Sequence, residues 1–429
     1  MSPRDFALRA LCALLMAPAA AAESWAITGA RLHTLGPSGV IENGTIVIRH
    51  GRIEAVGADV DVPRDAQRID AAGKIVTPGL YDAYSYIGVV EVSLVVETDD
   101  RVQSGARYTA SFRVADAINP RSTLIPVNRI EGITRAVVTP GVAAESFSSP
   151  VAGLGSVIHL GGVEDYLVAR DAALYVHLGE EGAVLAGGAR GLTLMKLREA
   201  LQDARDFSKH RGAFETRARR QYSASRPDLE ALAETLDGER PVVVSVDRAS
   251  DIRTALRLAD EFGLKLVVAG GAEAWMEADR LAAAQVPVIL DPLENLPDHF
   301  ESLGATLENA ARLHAAGVTV AFATGESHNA RNMRQAAGNA VAYGLPWDAA
   351  LAAMTLNPAR IFGLEGATGS LQAGKDADLV IWDGDPLEVT SAAERVFIRG
   401  RDIPMVSRHT LLRDRYGNDA GPLPPQYPH

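Results

Sequence analysis

The sequence predicts an α/β protein: an eight-stranded parallel barrel of the (β/α)8, TIM type, carrying a composite β-sandwich made from both ends of the chain. Three observations predict it. Through the middle of the chain, short apolar runs alternate with helical stretches. Residues 25–75 alternate apolar and polar side chains between glycine turns. The same strand-like pattern returns after residue 366. A length of 429 residues is too great for one small core and suits a barrel with an accessory domain.

Taken in order, Arg4 and Arg9 precede an apolar run, Ala10 to Met16, then Pro18 and the string Ala19-Ala20-Ala21-Ala22. This is the layout of a secretory signal cleaved after about Ala22. The expectation is a periplasmic or secreted protein; a buried N-terminal helix is the alternative. No later apolar stretch is long enough to span a bilayer. Segments "AITGARLHTL", "GTIVIRHGRIEAVG" and "QRIDAAGKIVTP" read as strands, with turns expected at Asn43-Gly44 and His50-Gly51. Their partner strands are expected in "GSLQAGKDADLVIWDGDPLEV" and "AERVFIRGRDIP". Segments 23–78 and 366–429 then form one sandwich around a barrel at 79–365.

Barrel strands are expected in "GLYDAYSYI", "ITRAVVTPG", "GSVIHLGG", "ALYVHLGE", "RPVVVSVD", "LKLVVAGG", "VPVILDP" and "VTVAFATG". Between them lie helical patterns such as "SDIRTALRLADEFG", with an apolar stripe at Ile252, Ala255, Leu256 and Ala259. Continuous strands alternating with helices favour a parallel barrel over a doubly wound open sheet, the alternative. Chemistry in such barrels gathers at the C-terminal ends of the strands. The charge-rich segment 187–224 reads as a solvated helical excursion, or else as a lid or partner surface.

Composition narrows the chemistry. The single cysteine, Cys12, lies in the signal, so the mature chain would offer no thiolate nucleophile or ligand. The formal charge is -12, or -13 after removal of residues 1–22, without basic clusters. That argues against nucleic-acid binding. Only five lysines occur, Lys74, Lys196, Lys209, Lys265 and Lys375, none at a strand end. There is no G-x-S-x-G elbow and no phosphate-binding G-x-x-x-x-G-K-[ST] loop.

The run "KIVTPGLYDAYSYIG" and the stretch "GLPWDAALAAMTLNPARIFGLEGATGSLQAGKDADLVIWDGDPLEV" closely resemble amidohydrolases, especially the imidazolonepropionase-like branch. The resemblance covers nearly all of the mature chain. It implies hydrolysis of non-peptide carbon–nitrogen bonds with one or two divalent metals. The expected ligands are two histidines on the first strand, often a carboxylated lysine on the fourth, histidines on the fifth and sixth, and an aspartate on the eighth. Histidine nitrogen and carboxylate oxygen suit zinc, which activates a bound water. Here the matching positions hold Tyr84 and Tyr86, Tyr175, Ser245, Gly270 and Gly325. A phenol titrates near pH 10 and is a poor zinc ligand. The resemblance therefore implies the family's fold without its usual metal site; zinc is expected only if a site has been rebuilt.

Remaining pocket candidates are Asp82, Tyr84, Tyr86, Tyr175, His177, Ser245, Asp247, Arg248, Glu273, Glu326 and His328. Each also has a structural reading. The tyrosines can fill vacated space, and His177 can be a satisfied core histidine. Asp247 beside Arg248 can mark a helix start capped by Ser250. Two functions stay open. One is an inactive binding or partner protein that holds a small molecule, or forms a homo-oligomer or a hetero-oligomer with a related amidohydrolase. The other is a hydrolase of an amide or cyclic amide, run by Asp247, Glu326 and His328.

Overall fold

The computed structural model describes residues 24–103, 108–142, 149–212 and 220–417. The expected signal, 1–22, lies outside them, as does part of the 187–224 segment. Five strands open the described chain: β1 Trp25–His33, β2 Val40–Arg49, β3 Arg52–Gly57, β4 Gln67–Asp70 and β5 Ile75–Pro78. The barrel strands follow: β6 Leu80–Ser85, β8 Ile133–Val138, β10 Val151–His159, β11 Leu167–His177, β12 Val242–Val246, β13 Leu266–Gly270, β14 Val288–Leu290 and β15 Val320–Phe322. A short parallel pair, β7 Val102–Gln103 and β9 Gly141–Val142, sits beside them, and β16 Leu379–Trp382, β17 Ala393–Ile398 and β18 Arg401–Asp402 close the chain's strands.

The two ends meet in one eight-stranded sheet, ordered β18-β17-β16-β5-β1-β2-β3 with β4 alongside β1. Its buried core mixes both ends: Trp25, Ile27, Leu32, Ile46, Ile48 and Val76 pack with Leu379, Ile381 and Phe397. The expected turn at His50-Gly51 is present, with both residues at positive φ. The one expected at Asn43-Gly44 is not a hairpin. Asn43, at φ 51°, lies inside β2, opposite shifts in the β1–β2 register. There its left-handed backbone accommodates a bulge.

The barrel sheet is ordered β15-β14-β13-β12-β11-β10-β8-β6. Its ends are joined by two backbone bonds, Gly325 N–H to Tyr84 O at 3.0 Å and Tyr86 N–H to Glu326 O at 2.9 Å. The strands are not all parallel. β10 runs antiparallel to both β8 and β11. The connection from β10 to β11, residues 160–166, is too short for a parallel crossover and can only make a hairpin. Alternate residues face in and out. Tyr81, Val137, Tyr175, Val243, Val267, Ile289 and Ala321 fill the interior, while Leu80, Val138, Leu174, Val244, Val268 and Val320 face the helices.

In the helix Ala249–Phe262, Ile252 and Ala255 are buried as expected, but Leu258 and Phe262 complete the stripe, with Leu256 and Ala259 on its flank. The helix Arg190–Lys209 is not a solvated excursion. Its Leu197, Leu201, Ala204 and Phe207 enter the main core against Leu229 and Leu232. No described helix is long and apolar enough to cross a membrane.

One buried ion network locks barrel to sheet. Arg135, on β8, donates through Nε to Asp378 at 2.6 Å and through Nη2 to Asp376 at 2.5 Å. Asp378 also accepts the Arg399 N–H at 2.7 Å, and its own carbonyl accepts the Gly79 N–H at 2.9 Å. Replacing Arg135 with methionine strands both carboxylates. The expected loss is about 3–5 kcal/mol, read as a lower urea midpoint; an unchanged midpoint would show that the junction adds no net stability.

Candidate functional site at the barrel mouth

The three tyrosines that replace expected ligands form one aromatic group. The Tyr84 ring meets Tyr175 edge-on at 5.7 Å and Tyr86 edge-on at 6.1 Å. Such T-shaped contacts are favourable for aromatic pairs. The Tyr84 hydroxyl bonds the side chains of Ser245 and Thr139. Tyr86, one residue past β6, hydrogen-bonds the Tyr84 side chain. It also packs beside the outer core, with the Arg101 guanidinium 4.0 Å above its ring. Tyr175 is wholly buried over Gly155 on β10, where a Cβ would come within 2.4 Å of the ring. Burial pushes all three phenols up, so each is a neutral hydroxyl at pH 7.

Two residues past Tyr175, His177 places Nδ1 2.5 Å from Glu181 Oε2. Burial works against the Glu181 carboxylate, yet the His177 hydrogen bond and charge, with Arg101, hold it below its usual range. His177 Nε2 and Tyr175 Oη are both buried and have no hydrogen-bond partner among the described residues.

Asp247 lies just beyond β12. It accepts the Ala272 N–H at 3.2 Å, and burial, then Glu301, pushes it up. Gly270, where the resemblance implies a histidine, has φ +83°, and a Cβ there would sit 2.5 Å from Asp247 Oδ1. Arg248 pairs with Asp251 at 3.0 Å. Ser250 is not the helix cap; the first helical N–H, of Ala249, is taken by Glu273 at 2.9 Å. Glu273 also accepts the Gly304 N–H at 3.1 Å, a structural role.

Glu326 and His328 lie elsewhere. They line a cleft of about 620 Å³ with Glu91, Thr123, Leu124 and His409. There His328 Nε2 is 3.4 Å from His409 Nε2 and 2.8 Å from Arg331 Nη1. Gly325 serves barrel closure through its backbone. Among the described residues, Asp247 thus shares no hydrogen-bond partner with Glu326 or His328. Among the described residues, no group of three or more His, Cys, Asp or Glu is placed to hold a metal ion.

Sequence reasoning passed over Asp291 and Glu294. Both follow β14 and interact electrostatically with each other, and Glu294 does so with Asp247 as well. The acid at the end of "VPVILDP" was the available signal. Glu294 is pushed up to about 7 by burial and by Asp247, Asp291 and Asp298.

With this geometry in place, comparison with known proteins becomes informative. The amidohydrolase family profile matches residues 157–406, more than half of the chain. The chain belongs to the amidohydrolase family. An imidazolonepropionase from Aromatoleum aromaticum is 30% identical over 378 residues, covering 81% of this chain and 87% of that protein. The amidohydrolase tasK of Hapsidospora irregularis is 25% identical over 83% of this chain, and the match spans only 39% of tasK's length. A solved amidohydrolase from Thermotoga maritima superposes with a TM-score of 0.78 at 29% identity, covering 88% of this chain and 99% of that one. The family comparison thus agrees with the barrel and with the sheet built from both ends.

Asp82, wholly buried, accepts from Thr324 Oγ1 at 2.6 Å and from the Tyr84 N–H at 3.1 Å. Burial nonetheless pushes it up to about 7. The folded state therefore keeps a proton that the unfolded chain releases from about pH 4. Its stabilising effect is complete below that pH and is lost as pH rises through 7. Asp82→Asn keeps the hydrogen-bonding shape and removes this titration. Calorimetric Tm between pH 4 and 8 is expected to fall less steeply in the variant than in the wild type; parallel curves would refute the shift.

Proposed function

We propose that this amidohydrolase-family protein does not run the family's metal-dependent hydrolysis, and serves instead as a small-molecule-binding or partner protein. The observation that carries this reading is the tyrosine group. The family usually binds a metal, and zinc needs imidazole nitrogen, thiolate or carboxylate oxygen. Tyr84, Tyr86 and Tyr175 offer neutral phenols that burial makes harder still to ionise. Gly270 and Gly325 offer no side chain, and the space beside Gly270 is filled by Asp247. These residues do not fit the family's metal. Without a metal, water keeps its bulk pKa of about 15.7 rather than the value near 7 found on zinc, and no described group compensates for both that and the lost carbonyl polarisation.

The alternative hydrolase built on Asp247, Glu326 and His328 draws no support from the geometry, because Asp247 sits in different surroundings from the other two. Export through residues 1–22 would place the mature chain in the periplasm or outside the cell. A related amidohydrolase, or a second copy of this chain, remains the partner class this reading favours.

The test is metal content. Mature protein produced with zinc and manganese supplied, then desalted, is expected to retain far less than one metal per chain. Retention of a full equivalent, lost on Asp247→Ala or Glu326→Ala, would overturn the reading.

A further inference from the structure

We infer that the chain pairs with a second copy of itself, each copy seating its loop 91–98 in the cleft beside the same loop of the other. This names which partner the preceding reading takes, and rests on that reading.

The loop follows the first barrel strand and is held so that it projects. Backbone bonds close its base, Glu91 N–H to Thr98 O at 3.2 Å and Asp100 N–H to Val89 O at 2.9 Å. Inside them, Thr98 Oγ1 accepts the Val92 N–H at 3.1 Å and donates to Val92 O at 3.0 Å. The tip carries Leu94, Val95 and Val96. Leu94 is fully exposed and Val96 is 83% exposed. Leu94 also has φ 69°. A bulky side chain is strained in that left-handed region. The loop thus bears strain to hold out an apolar knob that packs on nothing in its own chain.

The cleft of about 620 Å³ adjoins this loop. Val92 lines it, together with Leu124, Val127 and Leu412, so it offers apolar surface to an aliphatic side chain. Leu412 belongs to the helix Arg408–Gly417, which buries none of its residues and exposes Leu411 and Tyr416 as well. A ten-residue helix without a buried face is marginal in water. Knob, cleft and helix together leave an apolar surface uncovered.

Charge decides what covers it. Residues 91–100 hold Glu91, Glu97, Asp99 and Asp100 and no base. The helix holds Arg408, His409, Arg413 and Arg415 against Asp414 alone. Asp99 pairs with Arg101, and Arg413 with Asp414. Glu97, Asp100, Arg408 and Arg415 form no ion pair among the described residues. An acidic knob therefore stands beside a cleft with a basic rim, which makes the surface complementary to itself. A twofold axis lets loop meet cleft and cleft meet loop at once. A partner of a single sign would repel either the loop or the helix.

Sedimentation velocity of the mature full chain provides the test, over the micromolar concentrations where interfaces of ordinary size associate. A dimer is expected. Leu94→Gly removes the knob at a backbone angle that glycine adopts freely, so the fold should be kept. Dimerisation should weaken about a hundredfold or more, one buried leucine being lost from each side. Glu97→Arg with Asp100→Arg, and separately Arg408→Glu with Arg415→Glu, are each expected to give monomers, their fold checked by circular dichroism. Mixed together, the two variants should form a heterodimer, because opposite charges then meet at both contacts. A monomeric wild type, a dimer indifferent to Leu94→Gly, or charge variants that stay apart on mixing would each overturn the pairing. So would a mass that keeps growing with concentration, the mark of a head-to-tail contact. None of these results touches the metal-free reading, which metal content decides.

Discussion

The molecule depends on one buried cation. Arg135 reaches out of the barrel and grips Asp376 and Asp378 where the chain returns to the terminal sheet. A guanidinium can hold two carboxylates at once because its donors form a rigid planar fork. The same Asp378 orders the backbone at Gly79, where the chain enters β6, and at Arg399, between β17 and β18. One charged group thus fixes where the first barrel strand begins and where the last sheet strands turn.

Above this anchor, the barrel mouth is packed with aromatic rings. Where relatives would place ligands, the space holds rings in edge-on contact, an oxygen pairing between Tyr84 and Ser245, and a glycine on β10 that makes room for Tyr175. These contacts are mutually supportive, so the group has the character of a core layer. The polar remainder lies at its upper edge, in His177 and the acids of the loops.

Much of this was legible in the sequence. The alternation of apolar runs and helices marked the barrel, because strand and helix periods differ visibly. The positions of Tyr84, Tyr175, Ser245 and Gly270 could be placed because each lies at a strand end with a clear pattern. Direction was not legible: β10 reads as a strand whichever way it runs, and only the short link to β11 reverses it. Nor was convergence. Glu326 and His328 follow β15 closely, yet the Gly325 turn carries them outward to His409, a residue far away in sequence. The 187–224 segment looked solvated because it is charge-rich with alternating signs, while a single apolar stripe suffices to bury one face of the helix Arg190–Lys209.

The Gly270 position has a consequence for any attempt to place a ligand side chain there. Its backbone is left-handed, and Asp247 occupies the volume a side chain would need. A histidine introduced there would face steric conflict on one side and an unfavourable torsion on the other. A histidine at 270 would require Asp247 to move, and Asp247 is itself tied to the Ala272 amide. The two positions are coupled: a side chain at 270 needs a second change at 247, so no single substitution places a donor there.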